Sequence, residues 1–417
     1  MKTNLKRAAL LAASISAALA IAPQVQAQAQ APAQAQAQAR FQNFPLPTPA
    51  QQAIVDKDTS RHFGDAPVDA GPYATDLSAA IEPAAIDKAL RKVADWQLAR
   101  SQPYFDRIWT SSVMYVGFLA ASRATGDPKY RSAMLEMSKR FDFQPRGRLP
   151  NADDISVGQV YMDFYLENKQ PSMMSLTKAD LDDLLPLNTL KPGDPRMPWW
   201  WCDALFMAPP VWVKMYKATG DRKYLDYVHL NWKRTSDLLY DKEEHLYARD
   251  ASYIGKQEPN GKKIFWSRGE GWVMGGIALI LDDIPMDDPQ RPFYVQQLRE
   301  MSEKIASIQG PDGMWHAGLL DPKTYPLPEV SGSSLFVYAM AYGVNRGILD
   351  GAKYRPVIAK AWAGILKNVY ADGRLGNIQQ TGAEPAFYRP TSSFNYGVGA
   401  FMLAASELKA MAAGGKK

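Results

Sequence analysis

Asp203 sits in company that a charged carboxylate does not favour. It follows Trp199-Trp200-Trp201-Cys202 and precedes Ala204-Leu205-Phe206-Met207-Ala208. Apolar surroundings raise a carboxyl pKa by disfavouring the ionised form. A carboxyl still protonated near neutral pH can act as a general acid. The plainer reading is a buried, hydrogen-bonded structural aspartate. At least one of the three preceding tryptophans is expected to face a ligand, with Trp201 the candidate. A second stretch, Phe265-Trp266-Ser267-Arg268-Gly269-Glu270-Gly271-Trp272, sets Arg268 between Trp266 and Trp272. Arginine suits bidentate carboxylate recognition, and the glycines admit a ligand or a neighbouring helix. A structural ion pair of Arg268 with Glu270 or Asp250 is the alternative. His316, after Trp315, is a candidate ligand contact or a satisfied core histidine. Asp153, Asp154, Ser331 and Ser392 stand at helix starts, where capping accounts for each taken singly.

Two acidic motifs carry less. Asp180-Leu181-Asp182-Asp183 matches the Asp-x-Asp-Asp pattern of alkene-protonating terpene cyclases, but Lys178 and Leu184-Leu185-Pro186 make it the solvated face of an ending amphipathic helix. Asp282-Asp283 and Asp287-Asp288 lie at another helix end and form only a weak metal candidate. No two of the four histidines have helical metal-ligand spacing, and the single cysteine, Cys202, excludes an intrachain disulfide.

The elements that must position these residues have a helical period from Glu82 onward. Twelve segments read as helices: 84–100, 108–124, 128–141, 153–168, 176–186, 202–218, 221–240, 268–284, 290–309, 332–349, 354–370 and 394–412. No run alternates as a strand should. Ala124-Thr125-Gly126-Asp127-Pro128-Lys129-Tyr130 recurs as Ala218-Thr219-Gly220-Asp221-Arg222-Lys223-Tyr224, with a fainter copy ending in Gly351-Ala352-Lys353-Tyr354. Each copy joins one helix to the next. Six helical hairpins point to an all-α (α/α)6 toroid; an α-solenoid would repeat more uniformly. The even segments are apolar and rich in small residues, as inner helices should be. In a toroid their N-terminal ends meet at one mouth, which gathers Trp, Asp, Arg and Ser. Free N–H groups and positive dipole ends there favour an anion such as a uronate.

The chain has 417 residues, 46% apolar and 22% charged, which excludes global disorder. Residues 1–27 read as a signal peptide: Lys2, Lys6 and Arg7 precede an apolar stretch too short to span a bilayer, and Val25-Gln26-Ala27 offers a cleavage site. The formal charge of +5 falls to +2 without that leader, and no basic stripe supports nucleic-acid binding. The expected product is periplasmic or secreted, without a membrane anchor. Residues 28–80 read as a low-complexity, Pro-rich loose arm, 81–412 as the catalytic domain and 413–417 as a flexible tail. Eleven tryptophans and twenty tyrosines suit sugar stacking and core packing alike.

From about residue 85 to 412 the chain resembles glycoside hydrolase family 105, the unsaturated rhamnogalacturonyl and glucuronyl hydrolases. The segments that carry the resemblance are Trp201–Ala208, Phe265–Trp272, Gly313-Met314-Trp315-His316, Ser331–Phe336 and Gly397–Phe401. The resemblance implies that Asp203 is the general acid/base and that Asp154, or Asp153, is the second site aspartate. It also matches Trp266 and Arg268 to the family's Trp-x-Arg-Gly pair. The substrate would be an oligosaccharide ending in a 4,5-unsaturated uronic acid, cleaved by vinyl-ether hydration with no metal or organic cofactor. One departure concerns a loop where many members carry histidine; here Leu246-Tyr247-Ala248-Arg249-Asp250 stands, and Arg249 replaces that contact. The other readings are a periplasmic glycan-binding protein, or an inverting glycosidase or polysaccharide lyase on the same toroid. The sequence leaves the oligomeric state open.

Overall fold

The computed structural model describes residues 63–147, 151–186 and 197–414. The signal peptide, most of the arm and the last three residues lie outside the described residues.

The repeated turns explain how the chain reverses. Gly126 and Gly220 end their helices at φ 69° and 72°, left-handed conformations that glycine adopts without Cβ strain. The next residue, Asp127 or Asp221, then caps the following helix by accepting from the N–H of Lys129 or Lys223. Asp350 caps in the same way at Ala352, which accounts for the fainter third copy.

The helices are α1 (Pro83–Ser101), α2 (Trp109–Thr125), α3 (Pro128–Arg140), α4 (Ala152–Ile155), α5 (Gly158–Asn168), α6 (Ser175–Leu184) and α7 (Ala204–Met207). They continue as α8 (Pro209–Thr219), α9 (Arg222–Leu239), α10 (Ser267–Leu281), α11 (Arg291–Ser307), α12 (Val330–Asn345), α13 (Gly351–Leu366) and α14 (Asn395–Ala412). All twelve expected segments are helical, but two inner ones are split. Pro209, which has no N–H to donate, restarts the chain as α8 after α7. Between α4 and α5 the Ser156 N–H bonds back three residues to the Asp153 carbonyl, a tightened turn that re-aims the helix.

Helices α2, α5, α8, α10, α12 and α14 contact one another in that order, and α14 closes back onto α2. This closed ring is the inner layer of an (α/α)6 toroid, with α1, α3, α6, α9, α11 and α13 outside. Inner α12 is buried almost all round, whereas outer α9 buries one stripe. Close helix approach needs small residues: a Cβ on Gly117 of α2 would come within 2.7 Å of the Gly399 carbonyl oxygen of α14.

Strands among the described residues are two residues long: β1 (Gly64–Asp65), β2 (Tyr240–Asp241), β3 (Leu246–Tyr247) and β4 (Ser393–Phe394). β1 pairs antiparallel with β4, so the end of the arm is not loose. Phe63 accepts from the Asn395 N–H at 2.8 Å, and the Asp65 carboxylate meets Arg374 at 2.7 Å and Arg100 at 3.1 Å. Paired backbone and two guanidinium groups hold residues 63–67 against the body, which composition alone does not reveal.

Candidate active site

Each inner helix is followed by an outer one that returns, so the inner N-termini share one end of the ring. Side chains stitch that end together. The Trp109 ring stacks on Tyr396 at 5.3 Å and meets Trp272 edge-on at 6.1 Å. Asn395 donates to Ser111 Oγ at 3.1 Å. A cavity of about 490 Å³ opens at the opposite end, lined among others by Arg123, Asp163, Lys214 and Asp283. Its charges pair with each other, as in Lys214–Asp163 at 2.5 Å and Lys214–Asp283 at 3.4 Å, and Lys217 reaches Asp283 at 2.6 Å. Asp283 of the weak metal motif is thus held by lysines, and Asp288 by Arg222 and His229.

Asp203 lies at the start of α7, 8% exposed. Burial raises its pKa, and Arg249 opposes this. Arg249 Nε stands 3.5 Å from Asp203 Oδ2, within ion-pair range but without a hydrogen bond. A backbone bond from Cys202 N to the Arg249 carbonyl (2.9 Å) ties the two segments together, and Trp201 bridges to Asp250. Arg249 also bonds Asp250 at 2.7 Å and lies 5.5 Å over the Trp200 ring. The structure therefore brings Asp203, Trp201 and Arg249 together. The exposed aromatic is Trp200, at 44%, whereas Trp201 is buried.

Asp154 is buried in α4, packed beside α7, with Arg146 Nη1 3.7 Å from its carboxylate. Asp153 is half-buried in the same turn, its N–H bonded to the Asn151 side chain. Asp180 corrects the solvated-face reading of its motif. Asp183 is exposed, and Asp182 is half-buried and bonded to Lys178 at 2.5 Å. Asp180 instead is pushed up to about 7, first by burial and then by Asp183, and it feels Arg107 and Asp154.

Arg268 is a second correction. It is fully buried, with its guanidinium between the rings of Trp266 at 4.2 Å and Tyr396 at 4.9 Å. Its two terminal nitrogens donate to the Gln379 and Gln380 carbonyls, each at 2.8 Å, and Glu329 stands 3.9 Å away. The fork is occupied by backbone, so it does not offer itself to a substrate carboxylate. Neither Glu270 nor Asp250 is its partner. Trp266 donates to Gln379 Oε1 at 2.8 Å, and Trp272 is wholly buried against Phe206. Both support the floor rather than stack on a ligand. His316 gives its Nδ1 proton to the Tyr325 carbonyl at 2.8 Å, since a carbonyl can only accept.

Sequence reasoning offers Glu270 only as a partner for Arg268. It is fully buried, accepts from the Tyr247 N–H at 2.8 Å, and has no partner at Oε2. Burial drives its pKa well up, with the Asp203 charge adding. Both effects favour its protonated form.

A family model described as Glycosyl Hydrolase Family 88 matches residues 82–412. The chain belongs to this family. It is a glycoside hydrolase, and the family-105 resemblance holds at this coarser level. The chain is 40% identical over 341 residues to the unsaturated 3S-rhamnoglycuronyl hydrolase of Formosa agariphila, covering 78% of this chain and 90% of that protein. Among solved structures, a glycosyl hydrolase family 88 protein from Bacteroides vulgatus superimposes with a TM-score of 0.74 at 30% identity, covering 78% of this chain and 98% of that one. A chain described as "Polysaccharide Lyase BACCELL_00875" gives a TM-score of 0.74 at 29% identity, covering 80% of this chain and 99% of that one.

Proposed function

We propose that this hydrolase removes a terminal 4,5-unsaturated uronic acid from oligosaccharides left by polysaccharide lyases. The observation that carries the reading is Asp203: a buried carboxyl of raised pKa at the mouth, with Arg249 as its nearby cation. The Formosa relative's name adds support. The motifs at Trp201–Ala208 and Phe265–Trp272 support the finer placement in family 105.

The chemistry is hydration of a vinyl ether. Asp203 protonates C4 of the C4=C5 bond, and an oxocarbenium-like cation forms at C5. Arg249 steadies the carboxylate that remains. Asp203 then takes a proton from the water that adds to C5, which restores the acid. The resulting hemiketal opens, and the anomeric linkage collapses to release the remaining sugar. Asp154 is the second site carboxylate and holds ring hydroxyls. Asp153 is the weaker choice because it is half-buried in the turn of α4. The mature enzyme is exported.

A lyase on the same toroid is the second reading, favoured by the name of one structural neighbour. A lyase would want a Tyr/His pair at the mouth. His229–Tyr294 joins outer helices α9 and α11, and Tyr240–His245 lies in the β2–β3 hairpin. Ultraviolet absorbance separates the two readings, because hydration destroys the conjugated enol-ether carboxylate and elimination creates it. Loss of absorbance with wild type but not with Asp203→Asn on lyase-generated oligosaccharides is expected. A gain on intact polysaccharide would favour the lyase.

A further inference from the structure

Helix α8 opens with Pro209 and Pro210, neither of which has an N–H. The Phe206 carbonyl at the end of α7 would ordinarily accept from residue 210, four positions on, and finds no donor there. The Met207 carbonyl is passed over as well, because the Val211 N–H goes to the Ala208 carbonyl at 2.9 Å. Both residues are buried, where an unpaired carbonyl is costly. The donor comes from another helix. Gln159, in the first turn of α5, gives Nε2 to the Phe206 carbonyl at 3.0 Å and to the Met207 carbonyl at 3.2 Å. Nε2 carries two hydrogens, one for each acceptor. The side chain reaches them because α5 lies close against α8: a Cβ on Gly158 would come within 3.0 Å of Val211 Cγ1. Gln159 is buried and its Oε1 has no partner, so the two carbonyls orient the amide.

Each end of this contact leads to a site carboxylate. On the α7 side, the Phe206 N–H donates to the Asp203 carbonyl at 3.1 Å. The residue that Gln159 grips is thus bonded directly to the backbone of the acid. On the α5 side, the Gln159 N–H donates to the Ser156 carbonyl at 3.1 Å. Ser156 in turn gives its N–H at 3.3 Å and its hydroxyl at 2.6 Å to the Asp153 carbonyl, in the turn that carries Asp154. Hydrogen bonds therefore run from one carboxylate-bearing turn to the other, with Gln159 in the middle. Gln159 also lines the cavity at the end of the ring opposite the mouth, so it acts from behind the reacting groups.

We propose that Gln159 is a positioning residue for the reaction: by supplying the donor that Pro210 cannot, it fixes the Asp203 turn relative to the Asp154 turn. Helix α7 is a single turn of four residues, too short to hold its place by its own hydrogen bonds. Proton transfer needs the acid within reach of the reacting atom, and a shift of about 1 Å costs about a hundredfold in rate. Without the Gln159 donor, two buried carbonyls are left unpaired and the turn that carries Asp203 loses its tie to α5. This inference rests on the reading of Asp203 as the acid of an unsaturated-uronyl hydrolase.

The test uses the whole protein, lyase-generated unsaturated oligosaccharides and two variants. Gln159→Met keeps the length of the side chain without a donor. Gln159→Glu donates only while its carboxyl is protonated. Rates are compared at a temperature where circular dichroism shows each protein fully folded. Gln159→Met is expected to lose about ten- to a hundredfold in kcat at every pH. Gln159→Glu should run close to wild type near about pH 5 and fall away from it toward about pH 8, as its carboxyl ionises against two carbonyl oxygens. A merely structural loss of packing would not give one variant a pH dependence that wild type and the other lack. Wild-type kcat in Gln159→Met, or a Gln159→Glu no faster than Gln159→Met near pH 5, overturns the proposal and leaves the hydrolase reading intact. Hydrogen exchange supplies a readout without substrate. Protection of the Phe206 amide, which bonds Asp203, should drop about tenfold or more in Gln159→Met, while amides of α12 keep theirs. If Gln159→Met does not fold, Gln159→Glu carries both readouts across pH. If folded wild type acts on none of the oligosaccharides, the hydrolase reading fails and exchange decides alone: lost protection confined to α7 supports the tie, and unchanged protection at Phe206 overturns it.

Discussion

Asp203 is 8% exposed and Arg249 sits 3.5 Å away, so two opposing influences set its proton affinity. Burial raises the pKa and dominates, and the guanidinium pulls it back. The acid form therefore persists above the usual carboxylate range and is lost as pH rises through the raised pKa. Removing the cation in Arg249→Met should move the basic limb of kcat/KM to higher pH. It should also lower kcat, because the ionised intermediate loses its counter-charge. Asp203→Asn should lower kcat by ~10²–10⁴, the usual worth of a general acid or base. A basic limb that stays put in Arg249→Met would show that another group controls it.

Glu270 yields a separate stability prediction. Its folded pKa is raised above the unfolded value, so folding holds a proton that the unfolded chain releases. Stability is full below the unfolded pKa and is lost as pH rises toward the folded one, with a slope of ~1.4 kcal/mol per pH unit. Glu270→Gln keeps an acceptor for the Tyr247 N–H and has no proton to lose. Thermal unfolding from pH 5 to 8 should show wild type weakening relative to the variant. Parallel curves would mean that Glu270 is ionised and paired.

The residue scale also separates what is legible in the sequence from what is not. Asp203 is legible because its own neighbours along the chain supply its desolvation. Arg268 misleads because its partners, the Gln379 and Gln380 carbonyls, lie more than a hundred residues downstream. Asp180 escapes notice because one short motif faces both ways, Asp182 to a lysine and Asp180 inward.

At the scale of elements, the twelve helical segments are readable because inner and outer helices differ in composition and glycine marks their turns. The two splits are not, since they answer to neighbouring helices. Helix α7, whose N-cap is Asp203, is wedged against α10 so closely that a Cβ on Gly276 would fall on the Leu205 carbonyl and lie 3.2 Å from Phe206 Cα. Those are backbone atoms and cannot swing away. At neighbouring Gly275 the atoms met are Leu335 and Phe206 side-chain carbons at 3.1 and 3.2 Å, which can yield. Gly276→Ala should therefore cost about 1–3 kcal/mol and lower kcat by shifting α7, while Gly275→Ala costs less. Denaturant midpoints and kcat for the pair check this. Equal effects would mean that α7 is free to move.

For the molecule as a whole, the ring closes where α14 meets α2, and the end of the arm is fastened at that seam. β1 pairs with β4 immediately before Asn395 and Tyr396, and Tyr396 stacks on Trp109 at the mouth. Residues 63–67 lie before the family match, which begins at residue 82, yet they hold the last inner helix in place. Burial raises the Asp65 pKa, but Arg374 and Arg100 outweigh it, and the net pKa is lowered. The stability that Asp65 contributes is therefore present above its unfolded pKa and lost as pH falls through the folded one. Asp65→Asn should weaken the fold by about 1–3 kcal/mol near neutral pH, as lost charge-assisted hydrogen bonds do, and the gap from wild type should close below about pH 4, the ordinary carboxylate range. Shortening the chain to begin at Ile81 instead of Phe63 should remove the strand as well. Stability should then fall further, and kcat/KM should drop as the first turn of α14 loses its anchor. If the chain from Ile81 matches the chain from Phe63 in both melting and kcat/KM, the seam is held by helix packing alone, and the clasp plays no part in shaping the mouth.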